Sequence, residues 1–130
     1  MSDIDHPIFS ESLRRIRAWL GETGLSGLER DVLERLVHSG GDLSLASDLR
    51  FSVGACLHGA AALANGAPIL TDTAMAAAAV GPMARRTFAN LVCSVLDGAP
   101  AVAPAGGTRA AEGMAWALER HPGAVVLIGS

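Results

Sequence analysis

The sequence predicts an α/β protein built on a parallel sheet. Short apolar runs rich in Val, Ile and Leu alternate with longer segments of helical period. Two of the runs, 91–96 and 124–128, are apolar almost throughout, as strands covered on both faces are. The intervening segments carry helix caps and Gly or Pro stops. With 130 residues, half of them hydrophobic and 18% charged, the chain has the apolar content for one domain spanning 1–130.

The elements follow in order. Residues 7–20 read as a helix: Pro7 suits the first turn, Phe9, Leu13, Ile16 and Leu20 form a stripe, and Gly21 and Gly24 stop it. Ser12 and Arg17 flank that stripe. Residues 26–38 read as a second helix. Ser26 and Glu29 have capping-box spacing, and Leu28, Val32, Leu33, Leu36 and Val37 make the apolar face. Asp31 and Arg35 have the spacing of an i, i+4 pair on the outside. Helical arithmetic places His38 opposite the stripe, near Asp31 and Glu34, where the helix must end before Gly40 and Gly41. A strand is expected at 48–52. Ser52 then caps an Ala-rich helix over 53–64. Pro68, Ile69 and Leu70 form a brief strand, and Thr71 or Asp72 caps a helix over 74–80 that Gly81 and Pro82 stop. The strand at 91–96 reads as the centre of the sheet. Residues 98–107 form a Pro-containing loop. Thr108 caps a helix to Arg120 with Ala111, Met114 and Leu118 inward, and 124–128 is a fourth strand.

Composition excludes several functions. Ten arginines and no lysine stand against 13 acidic residues, a net charge of −3, without the concentrated basic field that nucleic acid requires. The basic clusters Arg14-Arg15-Arg17 and Arg85-Arg86 read as solvated helix faces. Cys56 and Cys93 are far apart, outside any CxxC, and read as buried free thiols in a reducing compartment. The acidic first residues do not resemble a signal peptide, and the apolar runs are too short to span a bilayer, so a cytoplasmic protein is expected. Nucleotide phosphate loops, a nucleophile elbow and metal-ligand spacings are lacking.

What remains is a set of polar residues where an open α/β sheet places its ligands, past the carboxyl ends of strands. Thr71 and Asp72 follow one strand, Asp97 another, and Thr108 and Arg109 open a helix. Arginines suit a carboxylated ligand, and a histidine suits acid–base chemistry. From spacing alone, His38 reads first as a solvated helix-terminal histidine, with an acid–base role as the alternative.

Four stretches, in order, resemble the precorrin-8X methylmutases (cobalt-precorrin-8 methylmutases in the anaerobic route) of cobalamin biosynthesis. They are Ser12-Leu13-Arg14-Arg15-Ile16-Arg17, Arg35-Leu36-Val37-His38-Ser39-Gly40-Gly41, Ala67-Pro68-Ile69-Leu70-Thr71-Asp72-Thr73-Ala74-Met75 and Gly107-Thr108-Arg109-Ala110-Ala111. The closing Val126-Leu127-Ile128-Gly129 is similar to a late strand of that family.

The resemblance implies a cofactor-independent, metal-free isomerase that moves a methyl group from C11 to C12 of a carboxylated tetrapyrrole, giving hydrogenobyrinic or cobyrinic acid. It implies His38 as the catalytic acid or proton-sharing group at ring C, with Ser12, Arg17, Asp72, Thr108 and Arg109 as substrate-binding residues. It also implies a three-layer α/β/α flavodoxin-like domain, four strands of it present, acting as a cytoplasmic homodimer without nucleic acid or membrane partners. The chain ends where the family continues into a further helix and strand, so a C-terminally truncated or shortened form is expected. The alternatives are a non-catalytic corrinoid-binding module, which keeps the arginines without needing His38, and an interaction domain whose last strand pairs with another chain.

Overall fold

The computed structural model describes residues 5–129. The chain divides between Leu57 and His58 into two compact units.

The first unit is helical. α1 (Pro7–Leu20) starts with Pro7 in its first turn, and the His6 Nδ1 accepts the Ile8 N–H at 3.2 Å. It stops at Gly21, whose φ of 61° favours glycine and whose N–H reaches the Arg17 carbonyl. α2 (Gly27–Gly40) runs two residues past the expected end, because Gly41 takes the left-handed position and donates to the Val37 carbonyl at 2.7 Å. Ser26 sits at the N-cap with no side-chain cap bond, so the expected capping box does not form. Ile16, Leu33 and Val37 are the buried centre, with Leu13, Leu20, Leu25, Leu45 and Leu49 around them.

The strand expected at 48–52 is absent. Instead the Asp42 carboxylate accepts from both the amide and the hydroxyl of Ser44, at 2.9 and 2.7 Å, and starts the single turn α3 (Leu45–Asp48). Arg50 then donates to the carbonyls of Ser47 and Leu49, taking acceptors that a sheet ladder would use. Leu45 and Leu49 are half-buried against the Ile16, Leu33 and Val37 cluster of α1 and α2.

The second unit holds the sheet, with the division falling within α4 (Ala55–Ala64). Among the described residues it has three strands, all parallel, in the order β2-β1-β3: β1 (Ile69–Thr71), β2 (Val92–Ser94) and β3 (Val125–Leu127). Leu70 pairs with Cys93 on one side and Val126 on the other. The central strand is therefore β1, buried at every residue, and the run expected at the centre is the β2 edge. That run also ends sooner than expected, turning into a 3-10 helix over Val95–Gly98. Asn90, buried just before β2, donates to the carbonyls of Leu63 and Ala67 at 2.8 and 2.9 Å and ties the end of α4 to the sheet.

α5 (Ala74–Arg86) is capped by Thr73, not by Thr71 or Asp72: the Thr73 hydroxyl accepts the Ala76 N–H at 3.1 Å. The helix also runs through Pro82, where the sequence predicts a stop. Pro82 forfeits one backbone donor, but Gly81 and Ala84 are buried, and packing holds the helix together. α6 (Arg109–Arg120) starts at the Thr108 cap as expected. Its inward residues are Gly113 and Ala117, with Met114 half-buried, while Ala111 and Leu118 face out. Small residues win here because the Val95 carbonyl lies directly against Gly113, leaving no room for a side chain.

Cys56 and Cys93 are free and half-buried rather than buried. Among the described residues, no helix is long and apolar enough to cross a membrane, and no cluster of His, Cys, Asp and Glu could hold a metal ion.

Candidate functional site

His38 lies in the last turn of α2, exposed, on the side that meets α1. Its Nδ1 is 3.0 Å from the Ser12 hydroxyl. The Phe9 ring stands perpendicular to the imidazole, centroids 4.7 Å apart. Hydroxyl and ring edge together fix the imidazole plane. Ser12 donates to Nδ1 when the ring is neutral with its proton on Nε2, and accepts from Nδ1–H when the ring is an imidazolium. Either way Nε2 is the nitrogen left for a ligand. Beside the pair is a cavity of about 270 Å³, lined by Ser12, Ile16, Trp19, Val37, His38 and Leu43. Ile16, Trp19, Val37 and Leu43 give it apolar walls, to which Ser12 and His38 add a hydroxyl and an imidazole.

The placement of His38 corrects the helical arithmetic. The face of α2 that packs on α1 is Leu33, Glu34 and Val37, not the full stripe, and Leu28, Val32 and Leu36 are substantially exposed. Glu34, expected outside, is only 1% exposed. Its carboxylate accepts two bonds from Arg17, Nε to Oε1 at 2.7 Å and Nη2 to Oε2 at 2.8 Å, and the Arg30 Nε lies 3.7 Å away. The bidentate Arg17 fork, with Arg30 behind it, holds the Glu34 carboxyl below the usual carboxylate range against the opposing effect of burial. Arg17, carried over as a substrate-binding residue, is thus turned towards Glu34. Sequence reasoning missed Glu34; a lone acid between Leu33 and Val37, one turn before a singled-out histidine, is the signal that points to it. Arg35 pairs with Asp5 at 3.0 Å and lies over the Phe9 ring, so the Asp31 pairing expected for it is replaced.

The other three candidates lie in the second unit. Asp72 is buried at the end of β1, and its Oδ1 accepts the Gly129 N–H at 2.8 Å. The Thr108 hydroxyl accepts the Ala111 N–H at 3.0 Å, and the Arg109 Nε donates to the Pro100 carbonyl at 2.7 Å. The structure brings Ser12 and His38 together, joins Asp72 to the loop after β3, and joins Arg109 to the loop before α6.

One unit is a parallel α/β sheet and the other a helical hairpin carrying a Ser12–His38 pair, which defines the class as an α/β protein with a candidate acid–base group. The family described as CbiC, precorrin-8X methylmutase, matches residues 7–130, and the chain belongs to this family. It is 40% identical over 129 residues to the precorrin-8X methylmutase of Pseudomonas aeruginosa, covering 95% of this chain and 60% of that one. It is 28% identical over 144 residues to the cobalt-precorrin-8 methylmutase of Synechocystis sp., covering 100% and 66%. The solved precorrin-8X methylmutase of Thermus thermophilus superposes with a TM-score of 0.79 at 34% identity, covering 95% of this chain and 61% of that one. The chain thus spans about 60% of the length of the Pseudomonas and Thermus proteins.

Proposed function

We propose that this chain carries the proton-handling half of a precorrin-8X methylmutase, an isomerase moving a methyl group from C11 to C12 of precorrin-8X or its cobalt form. The observation that carries the reading is the Ser12–His38 pair, an exposed imidazole held through Nδ1. A 1,5-methyl shift around a conjugated ring exchanges no electrons with the protein. What the protein supplies is a shaped surface and a proton at a ring nitrogen, shared with His38 Nε2 as the new C12–methyl bond forms and the C11–methyl bond breaks. Ser12 holds the imidazole through Nδ1, as donor or acceptor, and leaves Nε2 for the ring. Asp72, Thr108 and Arg109 are proposed on the substrate side, Arg109 because a guanidinium fork matches the macrocycle's carboxylates. A homodimer in the cytoplasm and a flavodoxin-like three-layer fold belong to the same proposal. The β2-β1-β3 order supports the layering: right-handed crossovers, one way from β1 to β2 through α5 and the other way from β2 to β3 through α6, carry the two helices to opposite faces.

The test is a visible-absorbance titration of the 130-residue chain with hydrogenobyrinic acid, beside His38→Ala, followed by incubation with precorrin-8X. A bound-pigment spectrum that changes with the substitution, and turnover that vanishes with it, is the expected result. Binding that is indifferent to His38, without turnover, would instead establish a corrinoid-binding module. A folded chain that binds no tetrapyrrole would overturn both for this polypeptide.

A further inference from the structure

We propose that Arg17 and Glu34 are a register clamp for the candidate site: they position His38 through the α1–α2 hairpin, and Arg17 does not serve as a ligand for substrate carboxylates. This rests on the His38 reading above and goes beyond it.

Besides the Phe9 ring contacts with His38 and Arg35, two hydrogen-bonded links join α1 to α2. Ser12 meets His38, and Arg17 meets Glu34. The later residue on α1 meets the earlier one on α2, so the helices run antiparallel. The links are five residues apart on α1 and four apart on α2, about 7.5 and 6 Å along the axes. Between them lie Ile16, Leu33 and Val37. Apolar contact is not directional and tolerates sliding. A slide of one residue moves a helix about 1.5 Å and turns its side chains by about 100°, which breaks the 3.0 Å Ser12–His38 bond. The bidentate Arg17–Glu34 pair forbids that slide, because both of its bonds form in one register only.

Burial makes the same point. Glu34 is 1% exposed while the Arg17 side chain is 51% exposed. A buried carboxylate is a poor route to stability, since an apolar pair of similar shape often does as well or better, and the best-attested use of such groups is fixing register. The side-on fork of Arg17, Nε and Nη2, is spent on Glu34, so only the end-on Nη1–Nη2 edge of the guanidinium is left for any other acceptor.

The experiment uses the 130-residue chain and three variants: Arg17→Met/Glu34→Leu, Glu34→Gln and Ser12→Ala. The first readout needs no pigment: the ¹⁵N shifts of Nδ1 and Nε2 of His38, assigned with His38→Ala, at a pH where the ring is neutral. The apolar double variant is expected to keep or raise the melting temperature while its His38 shifts move as far as those of Ser12→Ala. A double variant that melts like the parent and keeps the parent's His38 shifts would overturn the clamp. The second readout is hydrogenobyrinic acid affinity. Glu34→Gln frees the Arg17 guanidinium, so a substrate-ligand role predicts equal or tighter binding, whereas the clamp predicts a loss matching that of Ser12→Ala; unchanged or tighter binding counts against it. Should the parent bind no tetrapyrrole, the methylmutase reading fails for this chain while the nitrogen shifts still decide the clamp.

Discussion

The Asp72 carboxylate, at the end of β1, accepts the backbone N–H of Gly129 at 2.8 Å, so one side chain closes a gap of 57 residues. It does so while buried, alongside an Asp72 N–H bond to the Leu127 carbonyl at 3.3 Å. Asp72→Ala leaves the Gly129 donor without this acceptor, at a cost of about 1–3 kcal/mol. Asp72→Asn retains an acceptor oxygen and loses less. Urea unfolding, together with amide exchange at Gly129, checks both: exchange at that residue should speed up in Asp72→Ala far more than in Asp72→Asn.

Leu33 is fully buried between Ile16 and Val37. Leu33→Ala removes a core side chain from a small helical unit and is expected to destabilise by about 2–5 kcal/mol. Circular-dichroism melts read this directly.

Gly113 is the tightest point of the second unit. A Cβ there would overlap the Val95 carbonyl oxygen and crowd Ala99. Gly113→Ala should therefore cost about 1–3 kcal/mol through overpacking, although alanine is the better helix former by about 1 kcal/mol. A melting temperature above the parent's would show that α6 can lift off the 3-10 turn freely. Thr108→Ala, which removes the cap of the same helix, is a milder change of about 1 kcal/mol.

Acid should weaken the hairpin through Glu34. Its carboxyl is lowered from the ordinary value of 4.5, chiefly by the Arg17 hydrogen bonds. A group whose folded value is depressed contributes stability that is present above its unfolded value and lost as pH falls through the folded one. The stability gap between the parent and Glu34→Gln should thus be full at about pH 7, begin to close below about pH 4.5 and disappear in stronger acid. A gap that stays constant through that range would show that the charge on Glu34 contributes nothing. Glu11, drawn down to about 2 by hydrogen bonds from Arg14 and Arg15, is an exposed surface group whose titration should move stability little.

Local signals were legible where one residue decides the outcome. α1 has the predicted bounds because Pro7 and Gly21 set both ends, and α6 begins at Thr108 because a hydroxyl there caps it. The misreadings arise where a distant partner decides. Residues 48–52 have strand composition, but the Leu49 N–H closes the α3 turn on the Leu45 carbonyl and the Arg50 side chain takes the Leu49 carbonyl. Glu34 reads as solvent-facing until Arg17, 17 residues earlier, neutralises it. Pro82 reads as a stop until burial of Gly81 and Ala84 outweighs one missing bond. For the candidate site, motif resemblance singles out Ser12 and His38, but their contact across 26 residues depends on helix register, which periodicity leaves open.

The position of β1 has a consequence for synthesis. Its partner on one side, β2, follows closely, with Ile69 pairing to Val92, but on the other side Ile69 pairs to Val125. That edge stays unpaired until 56 more residues have been made, roughly 3–11 s at ordinary translation rates. During that interval an apolar strand destined for the centre of the sheet presents a bare ladder of donors and acceptors to its surroundings. The nascent chain is thus open to wrong pairing from the completion of β1 until the arrival of β3, with both edges bare before β2 forms and one edge bare after it, and a chaperone that shields β1 over that window would cover the whole interval.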